Sequence, residues 1–502
     1  MSQSTKGIWK VISASSMGTL IEWYDFYIFG SLSVVIATKF FPADNPTAAF
    51  LSTLATFAAG FVVRPFGALF FGRLGDLIGR KYTFMATLLL MGGATFLIGC
   101  VPGYETIGYF APVLVLILRL LQGLALGGEY GGAATYVAEH APKSQRGYWT
   151  SWIQTTATAG LFVSLMVILL TKSTLSADAF DRWGWRVPFW VSIVMVVVSY
   201  LIRRKMDESP AFARAKSEGK TAINPLKESF GHKYNLKFVL LALFGATMGQ
   251  GVVWYTGQFY AMSFLKTVMN VDATQVDELL GIALLLGTPF FIFFGWLSDK
   301  IGRKPVMMAG LFLAIISYRP IYQIMYSTTD LTQKQAVIGQ TEISGKRDTN
   351  PDLKTTIFTV DKEFTDGTTA REVTTVRLDS SPGKPEVKVT VRVPSKTKWT
   401  LIFLVWIQVI FVTMVYGPIA AFLVEMFPVK IRYTSMSLPY HVGNGIFGGL
   451  LPAISTYLAT NAKDNGHAQF YLEGLWYPII IAAVSFVVGM IYIDRKNNTL
   501  HE

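Results

Sequence analysis

The stretch Gly72-Arg-Leu-Gly-Asp76-Leu-Ile-Gly79-Arg80-Lys81 returns later in the chain as Gly295-Trp-Leu-Ser-Asp299-Lys-Ile-Gly302-Arg303-Lys304. A second pair follows in the same order: Glu139-x-x-Pro142-x-x-x-Arg146 and Glu425-x-x-Pro428-x-x-x-Arg432. The first pair follows the second apolar run of each half, and the second pair follows the fourth. Two independent pairs at matching places indicate a duplicated unit. The first pair is offset by 223 residues (295 against 72) and the second by 286 (425 against 139). The 63 residues separating those offsets are an insertion, and the polar stretch from about Ser327 to Lys398 holds it.

Composition says what the repeated unit is made of. Hydrophobic residues are 52% of the 502, aromatics 14% and charged residues 15%, and the mean hydropathy is +0.41. Soluble domains carry about 25% charged residues, so there is too little charge here for several water-facing surfaces. The chain is expected to be an integral membrane protein. A membrane helix needs about 20 apolar residues, and twelve such runs read at about 11–40, 48–71, 83–101, 111–138, 148–171, 186–203, 238–264, 276–297, 305–326, 399–427, 436–460 and 472–493. The first run has no small-residue cleavage site and carries Glu22 and Asp25, so it reads as a retained helix and not a signal peptide.

The net charge of +12 need not mark a nucleic-acid partner. Basic residues cluster on alternate loops: Arg73, Arg80 and Lys81; Lys143 and Arg146; Arg203 to Lys205; Lys300, Arg303 and Lys304; Lys430 and Arg432; Arg495 and Lys496. The positive-inside rule then places both termini in the cytoplasm of a plasma (inner) membrane protein. Cys100 is the single cysteine, which excludes an internal disulfide or a cysteine metal cluster. No metal site and no cofactor is expected.

The expected fold is an all-α membrane protein of twelve transmembrane helices in two pseudo-symmetric six-helix bundles. Residues 1–203 form the N-terminal bundle and 204–237 a charged cytoplasmic linker. Residues 238–326 and 399–502 form the C-terminal bundle, with 327–398 inserted between helices 9 and 10. Within the insertion Val387, Val389, Val391 and Val393 alternate with polar residues. Thr355 to Val360 and Val373 to Leu378 are β-branched, and Asp366-Gly367 and Ser381-Pro382-Gly383 signal turns. This predicts a small antiparallel sheet of three or four strands on the external face, whose partner is unknown. The transport cycle should not need it.

The twice-occurring Gly-x-x-x-Asp-x-x-Gly-Arg-Lys loop resembles the signature of the major facilitator superfamily, as does Arg119-Leu-Leu-Gln122-Gly123. Within it, five stretches resemble the metabolite:proton symporter family: Ile21-Glu22-Trp23-Tyr24-Asp25-Phe26, Arg64-Pro65, Gly127-Gly128-Glu129-Tyr130-Gly131-Gly132, Trp185-Arg186-Val187-Pro188-Phe189 and Glu208-Ser209-Pro210. The resemblance covers nearly all of the chain outside the insertion. It implies carriage of a metabolite such as shikimate, 2-oxoglutarate, citrate, or proline and betaine. It also implies a cavity lined by helices 1, 4, 7 and 10.

A charge at membrane depth is costly, so it should face a cavity or a partner. The candidates are Glu22, Asp25, Arg64, Arg119, Glu129 and Arg319. At 1.5 Å per residue, Glu22, Arg64 and Glu129 lie roughly 12–17 Å from the cytoplasmic end, Asp25 about 20 Å and Arg119 nearly 30 Å. The depths give one carboxylate–arginine–carboxylate layer of Glu22, Arg64 and Glu129 and an outer pair of Asp25 and Arg119, with Glu22 the better match to Arg64. Gly18, Glu22, Asp25 and Phe29 share one helix face. Three acids against two arginines leave one carboxyl protonatable, so Asp25, Glu129 and Glu22 are the proton-coupling candidates. The second half offers neutral groups instead. Gln250, Trp254 and Gln258 recur at i, i+4, i+8, joined by Tyr416, Asn444 and His441. These, with Arg119 and Arg64, are the substrate-binding candidates. The plainer alternatives are structural ion pairs for the charges and packing for His441 and Trp254. Asp76, Arg80, Asp299, Arg303, Glu139, Arg146, Glu425 and Arg432 are gating candidates, since charge pairs at helix ends can hold the halves together in one state. Solvated positive-inside anchors are the alternative.

No His-Glu-x-x-His, Gly-x-Ser-x-Gly or P-loop is present, so no enzyme is expected. The leading function is proton-coupled import of a small organic acid or zwitterion, with substrate, protons and the lipid bilayer as partners. A proton-driven exporter and a transporter-like nutrient sensor are the alternatives.

Overall fold

The computed structural model of the chain describes residues 5–42, 46–337, 348–350, 355–377 and 386–493. The expected turn at Ser381-Pro382-Gly383 and the basic pair Arg495 and Lys496 lie outside them. Apolar runs become helices because only a helix or a closed barrel satisfies its own backbone in lipid. In chain order they are α1 (Thr5–Ser31), α2 (Ser33–Phe40), α3 (Pro46–Leu77), α4 (Arg80–Cys100), α5 (Phe110–His140), α6 (Lys143–Thr174) and α7 (Gly184–Arg204). After a linker containing the short helix Pro210–Ser217 come α8 (Lys233–Val268), α9 (Ala273–Ile301), α10 (Arg303–Ser327), α11 (Ser395–Met426), α12 (Arg432–His441), α13 (Leu451–Asp464) and α14 (Phe470–Tyr492). Nine of the described helices are each long and apolar enough to cross a membrane, and ten if the bent α1–α2 pair is one span.

Two local features depart from a straight reading of the runs. The expected continuous helix 11–40 bends by 66° between α1 and α2. The bend falls at Leu32, which leaves helical geometry at φ −99° and ψ 9° next to Gly30 and Ser31. The expected helix 238–264 is interrupted by π turns at Leu243–Thr247, Thr256–Tyr260 and Phe264–Val268. Gln250 and Trp254 stay within the α-helical stretch Met248–Tyr255, Gln258 falls in the second π turn, and all three are buried. The glycines of the two Gly-Arg-Lys loops explain their recurrence. Gly79 at φ 124° and Gly302 at φ 97° adopt a backbone that other residues rarely reach, and each joins two helices without an intervening loop.

Helices pack in two groups. In the first, α3 and α4 pack on α5, α7 on α4, and α1 on α6. In the second, α9 and α10 pack on α11, and α8 and α10 on α14. Small residues let the backbones touch: a Cβ at Gly127 would stand 2.2 Å from the Arg64 carbonyl oxygen, and one at Gly123 would stand 2.2 Å from that of Gly60. The groups meet where α9 crosses α6 and α12 crosses α3.

The insertion is a four-stranded antiparallel sheet in the order β1 (Asp348–Asn350), β2 (Thr355–Glu363), β3 (Thr369–Arg377), β4 (Glu386–Arg392). Asp366-Gly367 forms the β2–β3 turn, with Gly367 at φ 81°. The alternation of β4 decides its seating. Val387 is half-exposed, while Val391 and Val393 are buried in the core of the second helix group. Val391 donates its N–H to the Asn270 carbonyl at 2.7 Å and accepts from the Asp272 N–H at 2.9 Å. Gln275 brackets the Val393 backbone at 3.0 and 3.1 Å. The sheet is thus fastened to the α8–α9 connection.

Candidate functional site

One stripe of α1 touches three acid–arginine pairs in succession. Gly18 is the first residue of it. A Cβ there would stand 1.7 Å from Arg203 Nη2 and 1.8 Å from Glu129 Oε1, so only glycine admits that pair against α1. Arg203 donates to Glu129 at 2.6 Å, to the Phe84 carbonyl at 2.6 Å and to the Ala14 carbonyl at 3.2 Å. Thr87 donates to the other Glu129 oxygen at 2.7 Å. Glu22, next on the stripe, lies 3.7 Å from Arg64 Nη1. Asp25 accepts from Arg119 at 2.8 Å, Gln122 at 2.8 Å and Thr95 at 3.0 Å. Phe29 closes the stripe beneath the Arg119 guanidinium, 4.2 Å away. Each arginine rests on a phenylalanine, Arg64 on Phe61 at 4.4 Å and Arg203 on Phe84 at 3.4 Å.

The expected shortage of arginines is therefore corrected. Arg203 reads as part of a solvated basic cluster, yet it is 1% exposed and supplies a third buried cation. Its position on α7 was legible as periodicity: Ser192, Val196, Ser199 and Arg203 form one buried stripe. The pairs differ in completeness. Asp25 and Glu129 have several hydrogen bonds each, whereas neither Glu22 nor Arg64 makes a hydrogen bond to any described residue, and the Arg64 Nε is buried without a partner. Arg319 joins none of these pairs. It lies over Trp476 at 4.7 Å and near Glu473 at 3.9 Å.

Aromatic rings surround the Glu22–Arg64 pair. Tyr130 of α5 stacks on Tyr440 of α12 at 3.8 Å, and the Tyr440 and Tyr416 hydroxyls meet at 2.6 Å. Trp23 of α1 meets Trp254 of α8 at 4.9 Å, and Phe26 meets Phe259 at 5.2 Å. These contacts join the two helix groups across the middle. Gln250 and Asn444 exchange two amide hydrogen bonds at 3.0 and 2.9 Å. His441 is buried, and its Nε2 has no hydrogen-bond partner among the described residues. Trp254 Nε1 is likewise without one, and Gln258 is buried. The tyrosine stack went unread because its members lie 310 residues apart (440 against 130) in sequence.

The repeated loops form two crossed braces at one end of the bundle. Asp76, at the end of α3, accepts the N–H groups of Tyr433 at 3.3 Å and Thr434 at 2.9 Å, in the first turn of α12. Asp299, at the end of α9, accepts those of Gly147 at 2.9 Å and Tyr148 at 2.7 Å, in the first turn of the helix that opens at Arg146. Each carboxylate caps a helix of the opposite group, whose own cap residue, Ile431 or Gln145, makes no side-chain cap bond. Arg80 lies 3.1 Å from Asp76, and Arg303 lies 2.6 Å from Asp299. Arg303 also binds Glu425 at 2.9 Å, while Glu139 takes Arg432 from the other group at 2.8 Å. Arg146 donates to the Ala138 carbonyl at 3.1 Å. Linker residues complete the brace: Glu208 accepts the Arg80 N–H at 3.1 Å, the Ser209 hydroxyl binds Glu139, and Phe212 packs 4.5 Å from the Arg80 guanidinium.

Apolar helices in two groups, crossed braces at one end and buried ion pairs within the first group fit a multi-pass membrane transporter of the major facilitator superfamily, and not an enzyme. The chain belongs to the sugar (and other) transporter family, whose model matches residues 10–340. It is 30% identical to the alpha-ketoglutarate permease of Escherichia coli (strain K12) over 497 residues, covering 99% of this chain and 95% of that one. It is also 30% identical to the citrate-proton symporter of Salmonella typhi over 473 residues, covering 93% and 92%. The fold matches the proton:xylose symporter XylE bound to 6-bromo-6-deoxy-D-glucose with a TM-score of 0.70 at 15% identity, covering 99% and 98%.

Proposed function

We propose that the protein is a proton-coupled symporter that imports a small carboxylate or zwitterionic metabolite by alternating access. Its twelve spans form two pseudo-symmetric bundles, residues 1–203 and residues 238–326 with 399–502, with α3 and the α12–α13 segment completing the set of apolar helices. Residues 204–237 link the bundles. Both termini and the braces are cytoplasmic, and the insertion 327–398 is external. The observation that carries the reading is the incomplete Glu22–Arg64 pair. A guanidinium with no hydrogen bond to any described residue, in a largely buried aromatic setting, is left short of the partners that burial demands. A substrate carboxylate supplies them.

Glu22 and the substrate then compete for one cation. Protonating Glu22 releases Arg64 to the substrate, and by reciprocity bound substrate favours protonated Glu22. Asp25 and Glu129 are the other proton-carrier candidates, each already held by its own arginine. Trp254, Gln258 and Tyr416 form walls of the site, the Gln250–Asn444 pair joins α8 to its neighbour, and Arg119 positions Asp25. Names of relatives that act on ketoglutarate and citrate support an anionic substrate.

The test uses proteoliposomes with an imposed inward proton gradient and labelled carboxylates. Wild-type protein should accumulate one of them, and Arg64→Gln should not bind it. A Gln variant of the proton carrier, Glu22 first, should exchange substrate but not accumulate it. Full accumulation by the Glu22→Gln, Asp25→Asn and Glu129→Gln variants would remove all three acids from coupling. Gradient-driven extrusion would mean an exporter.

A further inference from the structure

The insertion is tied to helices at the end of the bundle away from the braces, and one of those helices is interrupted three times by π turns. α9 carries Asp299 of one brace in its last turn, so its start at Ala273, and with it the α8–α9 connection, lies at the opposite end. α8 reaches that connection through the π turns Thr256–Tyr260 and Phe264–Val268. A π turn breaks the regular hydrogen-bond ladder and is a place where helices bend. The first of these two carries Phe259, whose ring lies 5.2 Å from that of Phe26 in the other group. α1 begins at the brace end, where Ala14 accepts from Arg203 in the last turn of α7. Phe26 therefore stands about 6 Å farther from the braces than Glu22, and the ring pair joins the two groups on the far side of the Glu22–Arg64 pair.

A bend in the far part of α8 would lift Phe259 from Phe26 while the rest of its group stayed in place. Contacts within the second group oppose that bend at both ends of this part. At the near end, Tyr322 of α10 donates to the Thr256 carbonyl at 3.1 Å, and its ring lies 5.5 Å from that of Tyr260 and 4.7 Å from that of Phe264. At the far end the chain turns at Asn270, whose φ of 55° is the one positive value outside glycine among the described residues. The Asn270 carbonyl takes the Val391 N–H at 2.7 Å, and the Asp272 N–H returns to the Val391 carbonyl at 2.9 Å. Gln275 accepts the Val393 N–H at 3.0 Å and donates to the Val393 carbonyl at 3.1 Å. Val391 and Val393 are buried, and α11 starts two residues later at Ser395. The β2–β3 hairpin is tied in turn to the segment after α10: the Val337 N–H donates to the Glu363 carbonyl at 2.9 Å, and Lys334 binds Asp366. All of these anchors belong to the second group.

We infer that the insertion is a strap: β4 fixes the far end of α8 to the start of α11, so that Phe259 leaves Phe26 only when the second group moves as a whole, and not when α8 bends at its π turns. The far closure over the Glu22–Arg64 pair is then set by the relative position of the two groups. This goes beyond the symporter reading and does not depend on what is carried.

The test uses the full-length chain with Cys100→Ser and spin labels at pairs of exposed positions. Thr267→Cys with Trp399→Cys reports the far end of α8 against α11, within the second group, and Thr267→Cys with Val34→Cys reports it against the first group. With a brace loosened by Asp76→Asn, the Thr267–Val34 distance should shift while Thr267–Trp399 keeps one narrow distribution. Gln275→Leu removes both bonds to Val393. It should broaden the Thr267–Trp399 distribution with the braces intact, and amide exchange from Leu265 to Val271 should quicken about tenfold, as expected for the loss of ordinary hydrogen bonds. Gln275→Glu, which still accepts the Val393 N–H, should have a smaller effect, and it serves if the Leu variant does not fold. A Thr267–Trp399 distance that moves on brace release in a chain with Gln275 intact overturns the inference, because α8 then bends despite the strap. An unchanged distribution and unchanged exchange in the Gln275→Leu, Val391→Pro double variant overturn it too. The Gln275 arm needs no group movement, so it decides even where Asp76→Asn leaves Thr267–Val34 unmoved. Neither readout involves substrate or proton, so failure of the strap and failure of the symporter reading are separate results.

Discussion

Asp76→Asn tests whether the crossed braces set the balance between exposure states. The change keeps the side chain's shape and removes its charge. In the braced state Asp76 accepts two N–H groups at the start of α12 and faces Arg80 at 3.1 Å. An Asn oxygen can serve one of those N–H groups well. The other is left short, at about 1–3 kcal/mol. Arg80 loses its nearest counter-charge, but it keeps the Gly75 and Val429 carbonyls at 2.7 Å and Glu139 at 3.7 Å, so that loss is partial. Together these disfavour the braced state by about 3 kcal/mol, or roughly a hundredfold at 1.4 kcal/mol per decade. Because the contacts exist only when α12 lies on α3, the cost falls on this state alone. Amide exchange at Tyr433 and Thr434 should quicken by about that factor, and transport should fall far more than ligand affinity does. Equal losses of transport and affinity, or unchanged exchange at those two amides, would refute the reasoning. Asp299→Asn should act in the same way on Gly147 and Tyr148.

Three more outcomes follow from the packing. Glu129→Gln leaves Arg203 buried opposite a neutral group, which should destabilise the fold by about 3–5 kcal/mol in a denaturation series; Glu129→Gln with Arg203→Met should recover most of it, and additive losses would contradict the pairing. Gly18→Ala places a methyl inside that pair, so it should lower the melting temperature, and less so in the doubly neutral background; an unchanged melting temperature counts against the contact. Replacing 338–385 by a short Gly/Ser linker should leave a folded, ligand-binding carrier, whereas extending the deletion through Val393 removes two buried valines and the pairing to Asn270 and Asp272, worth about 3–6 kcal/mol in buried surface alone. Equal stability of the two deletions would show that β4 is dispensable.

Much of this arrangement can be read in the one-dimensional pattern, and the failures have physical causes. Glu22 faces Arg64 as their matching depths predict, whereas Asp25 takes Arg119 although their depths along straight helices differ by about 10 Å. Arg203 is hard to place from sequence because a charge near a helix end satisfies the positive-inside rule and a buried stripe equally well. The π turns in α8 leave no residue-type mark that a 3.6-residue pattern registers, so the breaks in that helix are not legible in the sequence. The sheet was legible from alternation, but its seating was not: which end of β4 enters the core depends on a partner segment, Asn270 to Gln275, more than a hundred residues earlier.

The braces show a subtler kind of legibility. The helices opening at Arg146 and Arg432 begin after Gln145 and Ile431, which are poor caps, so their first N–H groups lack a local acceptor. A helix start of that kind must find its acceptor elsewhere or remain in water. In this chain the acceptor is the Asp of the repeated loop in the opposite half. Local cap quality thus has a conformational meaning. A good local cap would satisfy α12 equally well whether or not it touched α3, and the brace would then contribute nothing to choosing a state. Deficient caps make each half depend on the other for hydrogen bonds that cost nothing to give up once water can reach the end of the bundle. That dependence is reversible, as the proposed alternating access requires, and it accounts for a loop aspartate and an uncapped helix occurring together twice.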